Sequence, residues 1–81
     1  MNNSTIRHMP QVIETARRLD CEVVAVLENF IMCRRVRDNT YITWRVAVMA
    51  DVPAVFSSGD YDMTADEAQS NLIDRAWDIH L

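Results

Sequence analysis

Asp60, Asp62, Asp66 and Glu67 place four carboxylates within eight positions of the stretch SSGDYDMTADEAQ. Acids this dense serve one of three ends: a cation site, a helix start, or a negatively charged face for a partner. A calcium loop of the helix–loop–helix kind needs a glycine at its sixth position and a bidentate glutamate at its twelfth. Counted from Asp60, those positions hold Ala65 and Asn71, so no metal site is expected. Thr64 and Glu67, three apart, form a capping box in which each side chain satisfies the other's free backbone N–H. Asp66 and Glu67 also suit the positive end of the helix dipole. Asp60, Asp62, Asp74 and Asp78 have no such duty in the sequence, and they are the candidate partner surface.

Other groups capable of chemistry do not converge. His8 and His80 lie at opposite ends of the chain, and neither is placed for general-base work. Ser57-Ser58 is not set in a nucleophile elbow, since Gly59 follows but no glycine stands two residues before either serine, and no glycine-rich loop could cradle a phosphate. Cys21 and Cys33 match no zinc spacing with the histidines and are expected to be buried thiols. The expectation is a non-catalytic chain with no cofactor.

The elements that must position these residues follow from periodicity. Eighty-one residues make a single domain over 1–81. In PQVIETARRLD, Pro10 suits a first helical turn, and Val12, Ile13, Ala16 and Leu19 share a side. A helix is predicted over about 10–20, after a loose arm at 1–9. Residues 22–49 are rich in β-branched and aromatic types. Asp38-Asn39 reads as a two-residue hairpin loop, pairing Val36 with Tyr41, Arg34 with Thr43 and Met32 with Arg45. One face then carries Phe30, Met32, Arg34, Val36, Tyr41, Thr43 and Arg45. The more apolar face carries Ile31, Cys33, Arg35, Ile42, Trp44, Val46 and Val48, and should meet the helices. VVAVL reads as an earlier strand joined through Glu28-Asn29. Pro53 demotes Val52–Phe56 to an edge strand or a packed loop. In the last segment Ala65, Ala68, Leu72, Ala76 and Ile79 align, with Ile73 and Trp77 widening the stripe. The predicted fold is α+β: helix, three-stranded antiparallel meander, helix, with both helices on one face of the sheet.

Charge is unevenly spread. Up to Ala50 there are seven arginines against five acids; from Asp51 onward there are seven acids against Arg75 alone, and lysine is absent. Arg34, Arg35, Arg37 and Arg45 gather with Tyr41 and Trp44 on the hairpin, a mixture able to hold a phosphate backbone and stack bases. The order α-β-β-β-α is similar to that of double-stranded RNA-binding domains, which set lysines at the start of their last helix. Here that position reads Ala65-Asp66-Glu67-Ala68, opposite in sign, so the resemblance ends at topology.

In size, acidity and architecture the whole chain resembles the small accessory proteins of phages and mobile elements, of which anti-CRISPR proteins are the best-known group; no residue motif carries the likeness. The resemblance implies a stoichiometric inhibitor that occupies a basic groove on a nucleic-acid-handling complex. The contact set expected for it is Asp60, Asp62, Glu67, Asp74 and Asp78, with Tyr61 as an exposed anchor between two acids. A nucleic-acid-binding hairpin is the alternative. A homodimer through exposed sheet edges is a further expectation. No apolar leader or membrane-length run is present, which points to the cytoplasm.

Overall fold

The computed structural model describes residues 4–78. Its elements are α1 (Ser4–Arg7), α2 (Met9–Arg18), β1 (Cys21–Leu27), β2 (Phe30–Arg35), β3 (Tyr41–Ala47), β4 (Val55–Met63) and α3 (Ala65–Asp78). The strands form one antiparallel sheet in the order β1-β2-β3-β4. The expectations placed on residues 1–3, Ile79 and His80 lie outside the described residues.

Residues 4–7 form a helical turn rather than a loose arm, with Thr5 buried. Pro10 sits in the first turn of α2 as expected, and Asp20, left-handed at φ 60°, ends that helix in place of a glycine. Val12 and Ala16 are its buried residues.

Two features of the predicted fold are corrected. The sheet has four strands, not three. β4 lies at the edge beside β3; it takes in Val55 and Phe56 of the segment read as an edge strand or a packed loop and runs on to Met63. Opposite Thr43–Arg45 and Tyr41–Thr43 it carries one extra residue each time, and the left-handed residues Ser58 (φ 53°) and Asp62 (φ 60°) mark those two bulges. Each bulge breaks the two-residue alternation by which a strand is read.

The helices, moreover, cover opposite faces. α2 packs on the Ile31, Cys33, Ile42, Trp44 and Val46 face. α3 sets Ala68, Leu72 and Ala76 against Phe30 and Met32, with Tyr41 and Met63 at the margin. The second face looked solvated because arginines punctuate it, but Phe30 and Met32 are as buried as the core opposite.

The β1–β2 turn is Glu28-Asn29, as read. The β2–β3 loop is longer than expected: Arg35 N–H donates to Thr40 O at 2.8 Å, leaving Val36–Asn39 as four loop residues. Tyr41 therefore faces Arg34, Thr43 faces Met32 and Arg45 faces Phe30. The register differs by two from the expected one, and a shift of two leaves every side chain on its assigned face.

Candidate partner-binding surface

Beyond the packing of Ala68, Leu72 and Ala76, Arg75 ties α3 to the sheet. Arg75 is only 17% exposed. Its Nη1 donates to Thr43 Oγ1 at 3.0 Å and Thr43 O at 3.3 Å, and its Nη2 donates to Ser58 O. Its guanidinium stacks on Phe30, 5.1 Å from the ring centroid. Thr43 is fully buried, and its hydroxyl also bonds Asn71 Oδ1. The one arginine in the C-terminal part of the sequence thus points inward.

With Arg75 withdrawn, the outward side of α3 carries acids alone. Asp66, Glu67, Asp74 and Asp78 are all exposed. At 100° per residue, Ser70, Asp74 and Trp77 lie near its outward midline. Trp77 is 66% exposed and Ile73 49%, so these two leave the apolar stripe they were expected to widen. An exposed indole ringed by carboxylates is the feature sequence reasoning missed. Its signal was available: Trp77 lies about 140° or more around the helix from Leu72 and Ala68.

The capping box forms as predicted. Glu67 N–H donates to Thr64 Oγ1 at 3.2 Å, and Thr64 N–H donates to Glu67 Oε1 at 2.8 Å.

The Asp60-Tyr61-Asp62 triplet is divided by the bulge. Asp60 turns to the α3 side, where it accepts from Asn71 Nδ2 at 3.0 Å and from Arg75 Nη1 at 3.4 Å. Asp62 turns to the α2 side and accepts from Arg35 Nη2 at 2.7 Å. Tyr61 lies edge-on to Trp44, centroids 5.9 Å apart, and its hydroxyl accepts from Trp44 Nε1 at 3.1 Å. It is half-exposed, held on the sheet, and on the face away from Asp74 and Asp78. Of the expected contact set, the structure groups Glu67, Asp74 and Asp78, keeps Asp60 beside them as a paired acid, and separates Tyr61 and Asp62.

The hairpin arginines do not form an open face either. Arg34 donates to Asn39 Oδ1 and pairs with Glu22 at 3.4 Å. Arg35 is clamped between Asp38 at 2.9 Å and Asp62, which raises its pKa further and holds the Asp38 carboxyl well below the usual carboxylate range. Tyr41 packs at the edge of the α3 core, Trp44 is buried, and Arg37 stands in the loop away from Arg45 at the other end of β3.

Cys21 and Cys33 are buried free thiols. Burial pushes the Cys33 thiol up to about 12 and raises that of Cys21. No helix among the described residues is long and apolar enough to cross a membrane. The chain matches no family model, no curated protein and no solved structure.

Proposed function

We propose that this chain is a non-catalytic protein-binding module, a stoichiometric inhibitor of a nucleic-acid-handling complex of the kind anti-CRISPR proteins block. The observation that carries the reading is the outward face of α3: four exposed acids, no base, and Trp77 among them. Carboxylates held at helical spacing offer a basic groove the charge of a phosphate backbone. Long-range attraction speeds encounter and weakens with salt. Trp77, rather than Tyr61, is the anchor, because a large aromatic seated in a pocket carries much of an interface's energy. Asp66, Asp74 and Asp78 are the contact acids, and Glu67 contributes at the rim while capping the helix. Such a target places the chain in the cytoplasm.

The test is competition. The complex captured by the tagged chain from its natural host is purified, and its nucleic-acid binding is titrated with the chain. The expected result is loss of binding with a one-to-one endpoint, and release of the chain by excess oligonucleotide. A captured complex that holds chain and nucleic acid together overturns the mimicry. A salt-sensitive gel shift by the chain alone, abolished by Arg34→Ala with Arg45→Ala, would promote the nucleic-acid-binding hairpin instead.

A further inference from the structure

The two helical layers differ in charge, and they lie on opposite faces of the sheet. Among the described residues, α1 and α2 expose Arg7, Arg17 and Arg18 against Glu14 alone. Arg17 and Arg18 share that single carboxylate, at 3.0 and 3.5 Å. α3 exposes four acids and no base. The partner chemistry proposed for α3, an arginine-bearing surface, is therefore present on the chain itself.

That surface also offers a seat for an indole. Between α2 and the free edge of β1 runs a groove of about 440 Å³ lined by Met9, Ile13, Cys21, Val23 and Val36, with Arg17 and Glu22 at its rim, the Glu22 carboxylate being paired with Arg34 at 3.4 Å. Ile13 and Val36 are both exposed. A tryptophan flanked by carboxylates matches the groove's apolar floor in polarity and the Arg17 side of its rim in sign, Glu22 on the other side being held by Arg34.

We propose that the occupant of this groove is Trp77 of a second copy, with Asp74 and Asp78 of that copy paired to Arg17 and Arg18. The contact is head-to-tail, because knob and groove lie on opposite sides of the sheet. A heterologous contact of this kind leaves one α3 face outside any groove at one end and one groove unfilled at the other, so it propagates beyond a dimer unless the rotation closes a ring. Association covers the α3 face, so self-assembly and capture of the outside partner compete. The inference rests on the acid-and-indole face proposed above, and on nothing about that partner's identity.

Sedimentation velocity over a concentration series tests it. At low salt the weight-average mass is expected to climb past twice the monomer mass, and at about 1 M salt, where charges are screened beyond roughly 3 Å, to return to monomer. Two variants then separate the faces. Trp77→Ala with Asp74→Asn and Asp78→Asn removes the knob; Ile13→Gln with Arg17→Gln removes the groove. Circular dichroism checks that each is folded. Each is expected to be monomeric alone, and their equimolar mixture to form a dimer and nothing larger. A chain that stays monomeric at every concentration overturns the proposal. So does a dimer that both variants retain, which would point to edge pairing through β1. The groove variant is expected to capture the outside partner as well as the native chain does, so failure of self-assembly leaves the inhibitor reading standing on its own test.

Discussion

At Gly59 a side chain has nowhere to go. A Cβ there would stand 2.5 Å from Tyr61 Oη and 2.6 Å from Trp44 Nε1. Its φ is not in the left-handed region, so the need for glycine is steric. Gly59→Ala is expected to cost about 1–3 kcal/mol, read from urea unfolding, and to disturb the Trp44–Tyr61 hydrogen bond. Asp38 supplies a pH signature. Hydrogen bonds from Arg35, and then from the Thr40 hydroxyl and backbone N–H, hold its carboxyl below the usual range. A folded-state pKa below the unfolded value favours the fold only while the group is ionised. The contribution is therefore present above about pH 4 and lost as pH falls below it toward the folded value. Asp38→Asn is expected to lower the melting temperature at pH 7, with the difference from native shrinking by pH 3. Which residues were legible at this scale depended on the distance to their partners. Thr64 and Glu67 cap one another three positions apart, so the sequence contains the whole interaction. Asp60 and Asp62 find Arg75 and Arg35 across separations of 15 and 27 residues, and no local pattern announces that.

Among the elements, α3 is held by a polar staple set within an alanine-rich face. Ala68 and Ala76 let the helix approach closely, and Arg75 ties it to β3 and β4 through Thr43 and Ser58. Arg75→Met keeps an apolar stem but removes the donors and the guanidinium stacked on Phe30. Much of the Thr43 network is buried, while Asp60 is half-exposed and can turn to water. A loss of about 1–3 kcal/mol is expected, with α3 amides losing hydrogen-exchange protection before those of β1 and β2. Thr64→Ala is expected to cost about 1 kcal/mol through the lost cap, measured the same way. The strands β2 and β3 were readable because no bulge interrupts their pairing, and β1 because its β-branched residues announce it despite one bulge; a register error of two leaves faces unchanged. β4 was not, because Ser58 and Asp62 break its alternation and Ser, Gly and Asp are poor strand formers. The side chosen by α3 was also hidden. Phe30, Met32 and Tyr41 share their face with Arg34 and Arg45, and charge at its margin outweighed its apolar middle in the reading.

For the whole molecule, the decisive property is how charge is distributed rather than its sum. A net charge of −4 would describe an evenly acidic surface equally well. The fold instead turns Arg75 inward, pairs Asp60 and Asp62 with arginines, and leaves α3 as an acidic layer opposite the arginines of α2. The asymmetry between the halves of the sequence was legible from composition. Its conversion into two faces required knowing that the helices flank the sheet. The edges differ as well: two bulges and paired acids guard β4, whereas β1 keeps Val24 and Leu27 exposed with one bulge. The central claim is that the outward face of α3 captures the partner. Its most direct test is capture from the natural host by three folded forms side by side: native, Asp74→Arg with Asp78→Arg, and Arg34→Ala with Arg45→Ala. The α3 reversal is expected to lower recovery of the partner by roughly tenfold or more at low salt, while the hairpin variant recovers it like the native chain. Undiminished capture by the α3 reversal, or loss confined to the hairpin variant, would contradict it.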